Sequence, residues 1–253
     1  MARRNKDMET AATGRAAVAP AGERRNAVVR KPAPPITKRG TRTRDMIKDA
    51  AARVLERMGY RAMRLQDIAE EAGINVSLVY HYFSGKADIT FEILTELVES
   101  PLSSDLQPAP EDPFEAILEA NRRVVATYKA TPGLIRCLLQ LDEEEPKFAE
   151  LFAKVSLDWN RRVARDMARR APAAAPHEDL RLMTAYALGG MVDSFLFEAF
   201  VDRNPLFAKS FQSDEDIATF LAILWYRALY LADPPRENMG PFTGFSDLRL
   251  DPK

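Results

Sequence analysis

Cysteine and histidine are nearly absent from this chain of 253 residues, which has one cysteine and two histidines. The single thiol, Cys137, excludes an internal disulfide framework and a metal site built from clustered cysteines. The histidines, His81 and His177, lie far apart in sequence, and Cys137 has no obvious base beside it. A Gly-rich phosphate loop is also missing, so the residues offer no catalytic constellation. We therefore expect a protein that is not an enzyme and that holds no metal or cofactor.

Long apolar runs are missing as well. No segment approaches the roughly 20 apolar residues that a membrane-spanning helix needs. The start of the chain is rich in Arg and Ala, as a transit peptide is, but four prolines between residues 20 and 35 interrupt any amphipathic helix there. We expect a cytoplasmic protein with no membrane partner. Its 46% hydrophobic content is enough for one small and one larger helical domain.

Charge is distributed unevenly along the chain, although the net charge is only −1. Residues 1–86 hold 18 Lys and Arg against 9 Asp and Glu, which leaves a net charge of −10 for residues 87–253. A basic end joined to an acidic body is typical of a nucleic-acid-binding protein with a second function. Residues 1–40 carry a net charge of +7 and few large apolar side chains, which predicts a flexible basic arm. This arm is either a solvated tail or, together with Arg42 and Arg44, a contact to DNA phosphates or a minor groove.

Two short helices are predicted between Leu65 and Lys86. Apolar residues recur at the spacing of one helix face from Leu65 to Ala72. Gly73 then ends the helix, because glycine adopts a left-handed cap without steric cost, and Asn75 is a good N-cap for the next helix. Two helices of about eight residues joined by a short turn with glycine form the helix-turn-helix pattern, whose second helix enters the major groove of DNA.

A longer helix precedes this unit, with an apolar stripe that ends at Gly59. The whole run, DMIKDAAARVLERMGYRAMRLQDIAEEAGINVSLVYHYFSGKADI, resembles the N-terminal domain of the TetR family of bacterial transcriptional regulators. The resemblance is specific because ordinary helix-turn-helix units lack the VYHYFSGK ending that leads directly into a fourth helix. The residues that carry it are Ala50, Gly59, Tyr60, Asp67, Ile68, Ala69, Ala72, Gly73, Tyr80, Phe83 and Lys86.

The resemblance implies which side chains contact DNA. It places Ser77, Leu78 and His81 at base edges. It places Tyr80, Tyr82 and Lys86 at phosphates, and we expect the Tyr80 ring to belong to the core even where its hydroxyl reaches DNA. With the basic residues before them and the N-cap, the expected DNA-binding residues are Arg42, Arg44, Arg64, Asn75, Ser77, Leu78, Tyr80, His81, Tyr82 and Lys86.

The rest of the chain shows further amphipathic helices, and polar residues interrupt two of their apolar faces. Asn121 is either satisfied within the structure or turned towards a cavity. Asp193 either makes an interhelical or cross-dimer hydrogen bond or binds a cationic ligand. The stripe of aromatic and aliphatic residues around them is either core or pocket lining. The expected ligand-binding residues are Asn121, Tyr128, Trp159, Val163 and Phe195.

Two helices have more apolar surface than the core of one protomer covers. The segment from Leu180 to Phe200 is apolar nearly all round, and the last helix begins at Ser213. We expect these two helices to pair with those of a second copy in a four-helix bundle, which is also what the resemblance implies. The expected dimer-interface residues are Tyr186, Gly189, Gly190, Phe197, Phe220, Leu224 and Ala228.

Together these features predict an all-α protein, with a three-helix helix-turn-helix DNA-binding domain followed by a larger helical ligand-binding and dimerisation domain. The expected bounds are residues 1–40 for the arm, 41–101 for the DNA-binding domain, 102–235 for the larger domain and 236–253 for a C-terminal tail. The expected function is that of a dimeric repressor, released from a near-palindromic double-stranded operator by a small hydrophobic or aromatic effector. The alternative is a constitutive or architectural DNA-binding protein without a ligand.

Overall fold

The computed structural model describes residues 37–99, 110–141, 146–171, 173 and 176–248. Over these residues the chain is helical throughout and contains no strand, so the predicted all-α class is confirmed. No helix among them is long and apolar enough to cross a membrane. The α-helices, in chain order, are α1 Lys38–Ala62, α2 Leu65–Ala72, α3 Val76–Tyr82, α4 Lys86–Glu99, α5 Pro113–Ala130, α6 Pro132–Leu141, α7 Pro146–Arg170, α8 Glu178–Leu196, α9 Pro205–Ser210 and α10 Asp214–Tyr230.

The helix boundaries follow local signals in the sequence. Gly59 interrupts α1 with a φ of 74°, and Gly73 ends α2 in the left-handed region with a φ of 67°. Asn75 and Asp112 accept hydrogen bonds from backbone N–H groups at the starts of α3 and α5. Ser213 and a carboxylate three residues later form a reciprocal capping box at the start of α10. The breaks predicted at Gly59 and Gly73, the cap predicted at Asn75 and the start of the last helix predicted at Ser213 are confirmed.

The first hydrophobic core extends beyond the DNA-binding helices. Besides α1 to α4 it takes in side chains from α6 and from the first part of α7, such as Leu138 and Phe148. The sequence analysis placed a domain boundary at residue 101, but these later residues pack with the earlier helices. The first core therefore joins the helix-turn-helix unit to part of the larger helical body.

A second core fills the space between α5, α8 and α10. Its fully buried members include Phe114, Leu196 and Leu221. Leu97, near the end of α4, packs partly buried against both cores. The end of α4 is thus in contact with both halves of the described structure.

Aromatic side chains from four segments meet beside α10. The Phe220 ring stacks on Phe195 of α8, with 5.4 Å between centroids, and meets the edges of Phe211 and Phe242. Phe245 lies 5.2 Å from Phe220, and its exposed fraction is 8%. We call Phe195, Phe207, Phe211, Phe220, Phe242 and Phe245 the phenylalanine cluster.

The segment after α10 packs against the body. The sequence predicts a C-terminal tail over residues 236–253, but 3₁₀ turns form at Arg236–Asn238 and Gly240–Asp247, and the second of them packs against α10. Met239 is buried, and the Arg227 guanidinium of α10 donates to the Phe245 carbonyl at 3.0 Å. Helix α8 also continues into a π-helical turn, Phe197–Val201, before the short α9, where the sequence analysis expected one uninterrupted helix. Of the predicted arm, only residues 37–40 are described, and they form the N-cap and first turn of α1.

Candidate nucleic-acid interface and internal cavity

Helix α3 presents a polar face to solvent. Ser77, Tyr80 and His81 are exposed on it, and the exposed fraction of Tyr80 is 58%. The expectation that the Tyr80 ring belongs to the core is therefore wrong, because Val79 occupies the inward position of this turn instead. Leu78 and Tyr82 are half-buried at the sides of the helix. The exposed side chains are the kind that make hydrogen bonds to phosphates and base edges.

Asn75 has a structural role at the start of this helix. Its side-chain oxygen accepts from the Ser77 backbone N–H at 2.9 Å and from the Ser77 hydroxyl at 2.8 Å. These bonds fix the first turn of α3 and orient the Ser77 side chain. A contact between Asn75 and DNA stays a prediction, and it would be made by the side-chain amide nitrogen.

The three arginines expected at DNA are placed differently from one another. Arg42 and Arg64 are exposed. Arg44 is half-buried, because its guanidinium makes a bidentate ion pair with Glu92 of α4 and lies 4.4 Å above the centre of the Phe83 ring. Arg44 thus fastens α1 to α4, and it would have to leave this pair to reach a phosphate.

Lys86 is also engaged inside the protein. Its ammonium group donates to the carbonyls of Tyr60 at 2.9 Å, Met63 at 3.1 Å and Arg61 at 3.4 Å. It also lies 4.5 Å from the centre of the Tyr60 ring. The three N–H donors of a lysine are then all used at the end of α1, where they satisfy carbonyls that the helix leaves open. A phosphate contact by Lys86 would require it to release one of these carbonyls.

The helices that include α3 are similar to those of known DNA-binding proteins. Residues 47–93 match the family model described as bacterial regulatory proteins, tetR family. The HTH-type transcriptional regulator EthR of Mycolicibacterium smegmatis is 24% identical over 184 residues, which cover 71% of this chain and 82% of that protein. Residues 47–93 are therefore a TetR-type DNA-binding domain, as the resemblance implied.

Solved structures share the fold of this chain. A transcriptional regulator of Rhodococcus sp. Rha1 superposes with a TM-score of 0.61 at 19% identity, covering 76% of this chain and 98% of that one. A tetR-family transcriptional regulator of Streptomyces coelicolor gives a TM-score of 0.59 at 17% identity, covering 82% and 95%. At these identities the likeness concerns the fold alone, and it extends well beyond the DNA-binding helices.

A large cavity opens in the helical body of the described structure. It has a volume of about 1360 Å³ and lies between α5, α7 and α8, with the ends of α4 and α10 at its edges. A space of this size exceeds what a drug-sized molecule requires. Asn121, Tyr128, Trp159 and Val163, four of the five expected ligand-binding residues, line it.

The fifth expected residue, Phe195, lies elsewhere, in the phenylalanine cluster. It follows Asp193, which does line the cavity, by two residues, or about 200° around the helix. The Phe195 ring therefore faces away from the cavity, and the expectation is corrected. The sequence analysis also missed Trp225 of α10, which lines the cavity together with Trp159. A low abundance of tryptophan, two in the chain, was the signal that could have singled it out.

The residues expected at a dimer interface fall into three groups. Tyr186, Gly189 and Gly190 line the cavity, so one side of α8 faces inwards. Phe197, Phe220 and Leu224 are partly buried against the second core, where Phe220 is also covered by the segment after α10. Ala228 is exposed. An apolar stripe on α8 remains exposed, and it consists of Leu180, Met183, Ala187 and Gly190.

A carboxylate and a phenol form a pair in the cavity wall. The Tyr128 hydroxyl of α5 donates to Asp193 Oδ1 of α8 at 3.0 Å. Burial raises the pKa of Asp193, an effect that the hydrogen bond from Tyr128 partly opposes. Burial also raises the pKa of Tyr128, as does the negative charge of Asp193 beside it. The interhelical hydrogen bond that the sequence analysis weighed for Asp193 is present, and the Asp193 side chain still keeps an exposed surface on the cavity.

Two contacts connect the DNA-binding helices to the body, and the sequence analysis missed both. The Glu56 carboxylate of α1 accepts from the backbone N–H groups of Gly133 at 2.8 Å and Leu134 at 3.0 Å, at the start of α6. Lys147 of α7 donates to the Ala87 carbonyl of α4 at 3.1 Å. A negative charge such as the Glu56 carboxylate is stabilising at the N-terminus of a helix. Neither contact could be read from the sequence, because the partners are at least 60 residues apart.

Proposed function

We propose that this regulator is a ligand-responsive repressor, which binds a near-palindromic operator as a homodimer and is released by a small effector with a hydrophobic body. The observation that carries the proposal is the position of α4. This helix starts at Lys86, directly after the recognition helix, and ends with Leu97 and Val98 in the cavity wall. A molecule that displaces the end of α4 therefore acts on an element that is continuous with α3.

The coupling between the two sites is reciprocal. If the effector is bound more tightly by the conformation that does not bind DNA, operator affinity falls by the same factor, typically about 5- to 150-fold. The ion pairs between Arg44 and Glu92 and between Lys48 and Glu96 fasten α4 to α1. They support the transmission of a movement of α4 to the whole helix-turn-helix unit.

For the proposed DNA contacts we favour the exposed side chains. Ser77, Tyr80 and His81 of α3 would read or position the DNA, with Arg42 and Arg64 on phosphates. In a two-fold dimer, two recognition helices about 34 to 36 Å apart would contact successive major grooves. We propose that the exposed apolar stripe of α8 contributes to the dimer contact.

An anisotropy titration tests the repressor mechanism. Fluorescently labelled fragments of the promoter next to the gene are titrated with the full chain at several salt concentrations, with and without a panel of hydrophobic compounds. We expect tight, salt-dependent binding to one near-palindromic fragment and its loss with at least one compound. Tight binding that no compound or cell extract releases would favour the alternative, a constitutive DNA-binding protein, although a cavity of about 1360 Å³ gives that alternative no support.

A pair of substitutions tests the dimer. Met183→Glu puts a charge into the exposed stripe of α8, whereas Leu206→Glu changes a similarly exposed residue on α9. We expect the first variant to sediment as a monomer with weakened operator binding and the second to remain a dimer. A dimer that survives Met183→Glu unchanged would contradict this location of the interface.

A further inference from the structure

The polar groups in the inner wall of the cavity are mainly hydrogen-bond acceptors. The Asn121 side chain is 6% exposed, and its amide nitrogen donates to the Ile117 carbonyl at 2.9 Å. That bond leaves the amide oxygen without a protein partner among the residues that the structure describes. The Asn121 oxygen is thus free to accept from a ligand or a water in the cavity.

Asp193 offers a second and stronger acceptor. Only the Tyr128 hydroxyl donates to it within the described part of the chain, and no lysine or arginine there lies within ion-pair distance of its carboxylate. An ionised carboxylate in a largely apolar cavity wall is costly unless a cation or several donors compensate it. The Asp193 carboxylate has an exposed surface on the cavity, so a cationic ligand can reach it and supply the missing charge.

The hydroxyl groups in the cavity wall do not change its excess of hydrogen-bond acceptors. Those of Tyr128 and Thr127 already donate within the protein, to Asp193 and to the Arg123 carbonyl. Ser156 and Tyr186 also line the cavity, and their hydroxyls can donate or accept. Asp193 thus brings a negative charge to the cavity wall, and no lysine or arginine among the described residues pairs with it, although half-buried Arg162 of α7 also lines the cavity.

The outer rim of the cavity carries both signs of charge. Arg123 pairs with Glu119 at 2.9 Å, and Arg169 pairs with Asp166 at 2.5 Å. Lys154 and Arg165 are exposed there. Charges of opposite sign pair with each other on the rim, so the rim selects the sign of a ligand less strongly than Asp193 does, which pairs with no cation among the described residues.

Apolar and aromatic groups surround the acceptors. Trp159 and Trp225 line the cavity from α7 and α10, with Val124, Val163 and Leu229 among the aliphatic residues. Asn121 and Tyr128 lie on the same face of α5, seven residues and therefore about 10 Å apart along the axis. A ligand that reaches both the Asn121 oxygen and the Asp193 carboxylate, which Tyr128 contacts, must extend over roughly that length, with an apolar body between.

We infer that the effector is an amphipathic cation, in which a protonated amine pairs with the Asp193 carboxylate and an apolar body lies against Trp159 and Trp225. A further donor on the body would reach the Asn121 oxygen. This inference rests on the proposed function, because it names the class of molecule that the effector cavity takes.

Tryptophan fluorescence tests the inference directly. The chain has two tryptophans, and both line the cavity, so its emission reports occupancy. Three probes with one body and different head groups, 4-phenylbutylamine, 4-phenylbutanol and 4-phenylbutyrate, are titrated into the full chain at pH 7.5. We expect the amine to bind roughly 10- to 100-fold more tightly than the alcohol, as expected for a hydrogen bond to a charged group.

A substitution assigns the selectivity to one carboxylate. Asp193→Asn keeps the size and the acceptor for Tyr128 but removes the charge, and we expect the amine to bind it no more tightly than the alcohol. Asp179→Asn removes a carboxylate from the same helix at its exposed start, away from the cavity, and should leave all three affinities unchanged. Circular dichroism melts confirm that both variants are folded.

Three results would overturn the inference: tighter binding of the butyrate than of the amine, unchanged amine binding by Asp193→Asn, or no change in emission with any probe. Operator binding by anisotropy is measured on the same samples. Operator binding that another class of compound releases would leave the proposed repressor intact while the amine assignment fails. Absence of any operator would count against the proposed function itself.

Discussion

Gly133 lies where α6 crosses α1, and replacing it with alanine should separate the two helices. A Cβ atom at this position would come within 2.7 Å of both the Cα and the backbone oxygen of Glu56. Backbone atoms cannot rotate away as a flexible side chain can. Contacts between carbon atoms are favourable at about 3.5 to 4.0 Å, so α6 would have to move by roughly 1 Å.

The size of the effect follows from two contributions. Overpacking of a close contact costs about 1 to 3 kcal/mol. The movement also lengthens the bonds from the Gly133 and Leu134 N–H groups to the Glu56 carboxylate, which at this partly exposed site contribute about 1 kcal/mol together. We therefore expect Gly133→Ala to lower the free energy of unfolding by about 2 to 4 kcal/mol, which corresponds to a fall in Tm of about 5 to 15 °C.

A thermal melt followed by circular dichroism measures this change. Gly85→Ala is the control, because a Cβ atom there meets nothing within 4 Å, and its Tm should fall by no more than about 2 to 4 °C, the cost of replacing glycine with alanine at the N-cap of α4. Glu56→Gln separates the contributions, since it weakens the bonds to α6 but leaves the backbone crossing unchanged, and it should cost about 1 kcal/mol.

The sign of the change makes the prediction sharp. Without the close crossing, alanine would stabilise a helix relative to glycine by about 0.5 to 1 kcal/mol. An unchanged or raised Tm for Gly133→Ala would therefore refute the reasoning. It would mean that α1 and α6 are not in the close contact through which we connect the DNA-binding helices to the body.

Three further predictions concern charge and the C-terminal segment. Because burial raises the pKa of Asp193 in the folded chain above its unfolded value, ionising it costs stability as pH rises through that raised pKa. Asp193→Asn should therefore raise Tm at pH 7.5, and the gain should shrink as pH is lowered towards 4, which melts across that pH range would measure. Arg42→Gln should reduce the slope of log operator affinity against log salt by up to about 1 without changing Tm. Arg44→Gln should instead lower Tm by several degrees through loss of its pair with Glu92. Equal effects of the two variants in both assays would contradict a DNA-contacting role for Arg42 and a structural role for Arg44. Deleting residues 239–253 should expose the phenylalanine cluster and increase the fluorescence of a hydrophobic dye, and an unchanged dye signal and Tm would show that this segment does not cover it.

Sequence alone located the helix-turn-helix unit because its signals are local. Gly73 ends α2 because a left-handed residue is needed there, and Asn75 caps α3 from one residue before it. The apolar period of each helix is likewise read within some ten residues. The VYHYFSGK run leads directly into α4 at Lys86, as the sequence predicts, for the same reason.

The roles of side chains whose partners lie on other helices were predicted less well. Arg44 and Lys86 look like phosphate ligands in the sequence, since a basic residue next to a recognition helix is typical of one. In the structure each has partners at least 23 residues away that use its donors. Phe195 shows the same limit, because its ring joins partners from α9 and α10 that no pattern within α8 could indicate.

By itself, then, the sequence determined the all-α class, the order of the main helices and the DNA-binding unit, since caps, glycines and apolar periods act over a few residues. Only the tertiary structure decided that α6 packs with the DNA-binding helices, that the segment after α10 covers Phe220, and that Asp193 and Trp225 share one cavity. These features depend on contacts between residues tens of positions apart. Such contacts are set by how whole helix faces pack, and no short stretch of the chain encodes them.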